Sequence, residues 1–495
     1  MLFVFIPSLQ KWRIPMSKPN ILWIMADQFR ADALSCAGGP GATPNLDALA
    51  REGVRFSNCS TVAPLCVPAR ISMMTGKYPH TTGAWDNAAC ALSPEANLWT
   101  RAIAAQGYAA SVFGKLHLHT NEGDMISREY LVKGYGFETV DETAGPHSTA
   151  FSRTHYSEYL ARRGLLEEYR RDMERRGKTP HAAPSPLPLD SYYDVYVGDR
   201  GREYLQNYQG DRPWFCHVSF GGPHEPWDTP EPYASLYKPE DMPEPLPPVQ
   251  DRCPDRPQGE HDARRRKPQL QCDAQTAREI RANYAGGCTL IDEKIGEILD
   301  TIRARGEWDN TVVLFTSDHG ELNGDHGYVN KRNFFRPVLN IPLIIRTPDT
   351  ARQGGRVSDA LVSLLDIGPT LAELAGAELD YIQFGRSLCP ILDGEVQSVH
   401  DSILSEYAGE LMYMDNEWKM VVNKSGQPYL LFHLTEDPAE CDNLIGDPAY
   451  ASLTQELTLR LFRLMADTAC LKPSPILIAK PRPSDDPTLQ STAAE

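Results

Sequence analysis

The sequence predicts an α/β protein. A mostly parallel sheet between helices is expected over residues 17–395, a small antiparallel sheet with one helix over 396–470, and a flexible tail over 471–495. Three observations predict this. Apolar runs of strand length stop abruptly at polar residues, as strands buried on both faces do. Helical periodicities separate those runs, the alternation that gives a parallel sheet covered on both sides. Near the C-terminus the pattern changes to short strands at regular spacing followed by an amphipathic helix.

In chain order, Asn20 to Ala26 reads as the first strand and ends in Asp27-Gln28. Thr43 to Gly53 reads as a helix with Thr43 as cap and Gly53 as stop. Val54-Arg55-Phe56 opens a second extended piece that leads to the loop before Cys66. Pro64 to Gly76 then holds a short helix, with Pro68 in its first turn and Gly76 near its exit. Ala109 to Phe113 is a strand that delivers Gly114-Lys115-Leu116-His117. From Asp141 to Ser191 the signals are mixed, with a proline-rich piece at Thr179 to Leu189, as in an insertion.

Trp214 to Phe220 is the next strand, and Gly221-Gly222-Pro223-His224 is the turn at its end. Pro239 to Gln271 reads as a long surface excursion, and with the 141–191 insertion it is expected to shape the entrance to a site. Ile280, Tyr284, Ile291, Ile295, Ile298 and Ile302 mark a helix from Arg278 to Arg305, with Gly286-Gly287 weakening its middle. Thr311 to Thr316 is a β-branched strand ending in Ser317-Asp318-His319-Gly320, and Ile341 to Arg346 is another core strand. A helix is expected to begin at Val362. Ser402 to Glu406, Trp418 to Val422 and Tyr429 to Leu434 are the short terminal strands, and Leu453 to Met465 is the amphipathic helix.

Composition narrows the function classes. A chain of 495 residues can bury more than one core, and 41% hydrophobic with 23% charged residues excludes wholesale disorder. The net charge of −17 excludes a nucleic-acid backbone or an anionic membrane as the main partner, because both need a basic footprint. A small anionic substrate would need a local positive pocket. The 11 cysteines include no Cys-x-x-Cys pair, which favours a reducing compartment, and we expect a cytoplasmic protein. The apolar stretch Met1 to Ile6 lacks a basic flank and is interrupted by Pro7 and Lys11, so it reads neither as a signal peptide nor as a span; Met16 is an alternative start. A homo-oligomer stays open.

Chemistry-bearing residues gather where apolar strands end. In open α/β sheets, ligands collect beyond the carboxyl ends of the strands. Asp27, Asp318 and His319 are oxygen and nitrogen donors at such ends, a first shell for a divalent cation together with residue 66. Cys66 stands at a helix start, where unpaired backbone N–H groups face outward to an anion, and Arg70 adds charge one turn on. Lys115 and His117 alternate along one side, and His224 closes the turn after another strand. Taken singly, an aspartate after a strand is as often a turn former, and a lysine is usually solvated.

The spacing Cys66-x-Pro68-x-Arg70 followed by Met74-Thr75-Gly76 resembles the signature of the type I sulfatases. The resemblance extends to Pro19-Asn20-Ile21-Leu22 before Asp27, Thr43-Pro44-Asn45-Leu46-Asp47, Gly114-Lys115-x-His117, Pro223-His224, Thr316 to Gly320, Asp325-His326-Gly327, Lys331 and Asp366-x-x-Pro369-Thr370. It continues to Leu431 to Glu440 with Asn443-Leu444, so it runs from about Pro19 to Met465. It implies the alkaline-phosphatase-like fold and a hydrolase of a small or carbohydrate sulfate ester. It further implies that Cys66 is oxidised to a formylglycine nucleophile by a separate maturation enzyme, that Arg70 holds it, and that His117 holds a hydroxyl of the hydrated aldehyde. Asp27, Gln28, Asp318, His319 and residue 66 would bind one divalent metal, calcium or alternatively manganese. Lys115, His224 and Lys331 would contact the sulfate.

Two departures stand out. Many sulfatases have paired aspartates where this chain has Asp27-Gln28, and asparagine where it has His319. These pairings, with Trp85-Asp86-Asn87-Ala88, are similar to choline sulfatases and phosphonate monoester hydrolases, which makes Asn87 a candidate substrate contact. Arg336 stands where relatives often carry an acidic residue. The alternative activity is therefore hydrolysis of a phosphonate monoester or phosphodiester in the same site. A non-enzymatic alternative is an anion-binding protein whose Cys66 stays a thiol.

Overall fold

The computed structural model describes residues 18–87, 90–177, 180–469 and 476–479. An eight-stranded sheet forms its centre. In chain order its strands are β1 (Asn20–Asp27), β2 (Val54–Ser60), β3 (Ala109–Gly114), β4 (Thr139–Glu142), β5 (Trp214–Pro223), β6 (Thr311–Ser317), β7 (Asn340–Arg346) and β8 (Arg356–Ser363). Across the sheet the order is β8-β2-β7-β6-β1-β5-β3-β4. β1 and β6, the most apolar runs, are buried along their whole length, and β1 pairs in parallel with both β5 and β6.

β7 alone runs against its neighbours β2 and β6. A parallel return needs a helical crossover across the sheet face. The segment after β6 instead loops over the sheet edge with only a 3-10 turn, Asp325–Gly327, and a four-residue helix, Arg336–Leu339, before β7 begins. That loop carries part of the site.

Apolar cores fill both faces. One gathers Trp23, Trp99, Phe215 and the buried helix α1 (Cys66–Thr75). The other packs α2 (Tyr193–Asn207) and α3 (Ala274–Ala304) against Leu22, Ile24, Val313 and Phe315. Contrary to the expected weak point, α3 runs unbroken through Gly286 and Gly287. A Cβ on Gly286 would come within 2.2 Å of the Tyr233 carbonyl oxygen, so this glycine admits a crossing segment.

Two other local expectations are corrected. Thr43 precedes the helix Pro44–Glu52, but its hydroxyl bonds Ser35 and Asp47; the free N–H groups of Asn45 and Leu46 go to Asp292 of α3. Val362 lies in β8 and the helix starts only at Ile367, because Gly368 and Pro369 suit a first turn.

The C-terminal part is a four-stranded antiparallel sheet, β9 (Ile403–Tyr407), β10 (Glu410–Met414), β11 (Trp418–Val422) and β12 (Pro428–His433), with helix α4 (Ala451–Asp467). β10 was not foreseen. This sheet shares cores with the main body through Val62, Leu65, Phe334 and Phe335. It therefore packs behind the loop that leads into Cys66. Of the expected flexible tail, residues 471–475 and 480–495 lie outside the described residues, as does the Met1 or Met16 start. Leu477–Ala479 pairs antiparallel with Cys90–Leu92. No helix among the described residues is long and apolar enough to cross a membrane, and every cysteine whose side chain is described is a free thiol.

Candidate active site

Sheet register brings the carboxylates together. Ala26 of β1 pairs with Ser317 of β6, so the next residue on each strand, Asp27 and Asp318, emerge side by side at the carboxyl edge. The same edge delivers Lys115 after β3, His224 after β5 and, through the loop after β2, Cys66 at the start of α1. Atoms of Asp27, Cys66, Asp318 and His319 that could ligate a metal ion all lie within 4.8 Å of one another, and all four residues are buried.

His319 is oriented for this role. Its Nδ1 lies 3.0 Å from the Gly320 carbonyl oxygen, which makes Nδ1 the protonated nitrogen and leaves the lone pair of Nε2 facing Cys66 Sγ at 3.2 Å. Burial alone would lower the His319 pKa, but the charges of Asp318 and Cys66 raise it above its ordinary value. The same negative charges favour a cation.

Arg70 acts on the carboxylates. Its Nε donates to Asp318 Oδ2 at 2.7 Å and its Nη2 to Asp27 Oδ2 at 3.1 Å, while Nη1 donates to the Lys115 carbonyl at 2.6 Å. The expectation that it holds residue 66 directly is thus modified, because its fork is occupied by the two carboxylates. Lys115 Nζ donates to Asp27 Oδ2 at 2.5 Å. Burial would raise the Asp27 pKa, and so would the nearby Cys66; Lys115, His224 and Arg70 outweigh both and hold it well below the usual carboxylate range.

The Cys66 thiol lies among these groups. Burial pushes this thiol up, but Lys331, Lys115 and His319 together with a hydrogen bond to His117 bring it well below its ordinary pKa. His117 is itself lowered, mainly by burial, and its Nδ1 has no hydrogen-bond partner among the described residues. Lys331 would be lowered by burial, but Cys66, Glu225, Asp27 and Asp318 raise it far above the usual lysine range. A site with negative groups on its floor and fixed cations around them suits a cation below and an anion above.

Gln28 is placed differently from the expected metal shell. Its carbonyl accepts from Lys331 and its amide donates to Glu225 and Glu321, which turns the side chain along a polar network beside the four donors. Asn87 also has a specific place: its Oδ1 accepts from the Val67 N–H at 3.0 Å, capping the first turn of α1, and it lines the cavity above. His224 Nδ1 lies 2.5 Å from the Glu225 carbonyl oxygen.

Above this floor opens a cavity of about 630 Å³. Cys66, Lys115, His117, His224 and Lys331 line its base, and residues of both excursions, His147 and Arg176 from one and Arg264 and Leu270 from the other, line its wall. The expected positive pocket on an acidic molecule is present. Sequence reasoning missed Glu225 and Glu321. Glu321 is fully buried, and burial beside Glu225 pushes its carboxyl up to about 7. Their positions next to His224 and three residues after Asp318 were visible, but nothing in their spacing showed that they meet at Gln28.

The family model described as Sulfatase matches residues 19–377, well over half of the chain. The chain belongs to the sulfatase family. A second model, N-sulphoglucosamine sulphohydrolase C-terminal, matches residues 324–467. The sulfatase is 32% identical to a choline-sulfatase of Rhizobium meliloti strain 1021, over 90% of this chain and 86% of that one. It is 30% identical to the multifunctional alkaline phosphatase superfamily protein PehA of Trinickia caryophylli, over 89% of this chain and 94% of the other. Among solved structures, the phosphonate monoester hydrolase of Agrobacterium radiobacter superposes with a TM-score of 0.75 at 26% identity, covering 94% of this chain and all of that one (100%). The fold is alkaline-phosphatase-like, and the enzyme is a sulfuric ester hydrolase.

Proposed function

We propose that this sulfatase cleaves a small or carbohydrate sulfate ester, with Cys66 converted to formylglycine as nucleophile. The observation that carries the reading is the convergence of Asp27, Asp318, His319 and the residue 66 side chain within 4.8 Å beneath a cationic cavity. The donor set of two carboxylate oxygens and an imidazole nitrogen fits a hard divalent cation, calcium or manganese. When bound, such a cation would raise the acidity of the attacking hydroxyl and neutralise charge.

The remaining work falls to side chains. Lys115 and Lys331 offset charge on the sulfuryl oxygens as it builds. His224 gives a proton to the leaving alcohol through Nε2. His117, kept neutral by burial, takes the proton from the second hydroxyl of residue 66, which expels sulfate and restores the aldehyde. Arg70 helps keep Asp27 ionised and holds Asp27 and Asp318 in place. Gln28 would join the metal by turning its carbonyl away from Lys331. The free thiols support a cytoplasmic location, and a formylglycine-generating enzyme is the implied partner.

The test is direct. The mass of the Cys66 peptide should show loss of the sulfur, aryl sulfate should be hydrolysed, and Cys66→Ala should abolish turnover; full activity in that variant would end the proposal. Chelation should remove activity, and calcium or manganese should restore it. Hydrolysis of phosphonate monoesters or phosphodiesters is a second reading, favoured by Gln28 and His319. A panel of matched aryl sulfates and aryl phosphonates ranks the two.

A further inference from the structure

The cavity is more cationic than one sulfate requires, and Arg332 is its least explained residue. It lines the cavity next to Lys331, its side chain is exposed, and its guanidinium has no hydrogen-bond or ion-pair partner among the described residues. The neighbouring arginines are engaged. Arg176 donates to Asp172 at 2.6 Å and to the Pro184 carbonyl, while Arg264 donates to the Tyr407 hydroxyl at 2.8 Å with Glu260 at 3.8 Å.

The backbone holds Arg332 there at a cost. Its φ is +74° and that of Asn330 is +70°, the left-handed region that non-glycine residues rarely occupy. Such strain persists where the surroundings over-determine it, which is a pointer to function. Here the Arg332 N–H donates to the Pro64 carbonyl at 3.0 Å, tying the residue to the loop that enters Cys66. The cavity wall around it carries Arg176, Arg264 and the histidines His147 and His181, and the acidic side chain that lines it, Glu225, already accepts from Gln28 at 2.9 Å.

We propose that Arg332 binds a second anionic group on the alcohol half of the substrate, so that the preferred substrate is a sulfate ester of an acidic alcohol. The inference rests on the sulfatase reading above. A guanidinium presents a planar fork that matches the oxygens of a carboxylate or a second sulfate. A cationic leaving group would be repelled by the same wall.

The experiment uses the purified full-length enzyme and two esters of similar leaving-group acidity, 4-carboxyphenyl sulfate and its uncharged isostere 4-carbamoylphenyl sulfate. The wild type should favour the carboxylate about tenfold in kcat/KM, mainly through KM, as one exposed charge-assisted pair allows. Arg332→Ala should lower kcat/KM for the carboxylate about tenfold more than for the amide, and Arg332→Lys should retain part of the preference. A wild type without preference, or an Arg332→Ala loss equal for both esters, overturns the inference while leaving the sulfatase reading intact. Failure to hydrolyse either ester overturns both.

Discussion

Arg70 shows how one residue holds the carboxylates of the site in place. Its Nε donates to Asp318, its Nη1 to the Lys115 carbonyl and the Ser219 hydroxyl, and its Nη2 to Asp27, with 1% of the residue exposed. A lysine carries charge but no planar fork, so Arg70→Lys should lower kcat at least about a hundredfold with little change in melting temperature. Steady-state kinetics and a melt on the same sample check both halves. Asp194 on α2 is a second case. Its Oδ1 accepts from the N–H groups of Gly221 and Gly222, just before His224, and burial, with Asp228 and Asp27 nearby, pushes its carboxyl from 3.8 up to about 7. A raised folded pKa means that the folded state holds the proton longer, so this contribution is fully present below 3.8 and is lost as pH rises through about 7. Asp194→Asn keeps the acceptor and removes the charge. Its stability advantage over wild type should therefore grow by roughly 2–3 kcal/mol between pH 5 and pH 8, read by urea unfolding; an advantage equal at both pH values would refute the assignment.

At the scale of elements, the end of β3 is the tightest joint near the site. Gly114 has φ +101°, and a Cβ there would meet the Ser219 carbonyl oxygen at 2.0 Å. That approach lets the Lys115 N–H donate to Ser219 at 2.9 Å and sets where the Lys115 side chain starts. Gly114→Ala should cost on the order of 2–4 kcal/mol and depress turnover, since Lys115 must move; wild-type kinetics in the variant would show that the strand end is adaptable. The helix Pro44–Glu52 carries a related lesson. Its Thr43 matched a cap in sequence, yet Asp292, from a helix far along the chain, took the free N–H groups. Capping signals are local, whereas the partner that wins is set by packing.

Across the whole molecule, the C-terminal sheet is joined to the site by a buried ion pair. Lys419 of β11 donates to Glu440 and, at 3.0 Å, to the Phe334 carbonyl, and Glu440 also accepts from the Arg336 N–H at 2.8 Å. Arg336, whose effect could not be judged from sequence, thus contributes its backbone to this pair and its guanidinium to Asn58 at 3.2 Å. Lys419→Ala leaves Glu440 buried without its charge partner and should cost about 3–5 kcal/mol. Because residues 334–336 follow Lys331, turnover should fall too; a variant that loses stability but keeps kcat would show the two parts to be mechanically separate. By itself the sequence determined the core strands β1, β2, β3, β5, β6 and β7, the mostly parallel class of the sheet and the residues at its carboxyl ends, because apolar runs and their polar stops are local signals; β4, β8 and β10 escaped it. It did not determine the reversed β7, the turn of Gln28 toward Glu225 and Glu321, the hold of Arg70 on two carboxylates, or the unpaired Arg332 in the cavity wall. Those depend on register between strands distant in the chain and on loops packed over one edge, and such long-range contacts exist only once the tertiary structure has formed.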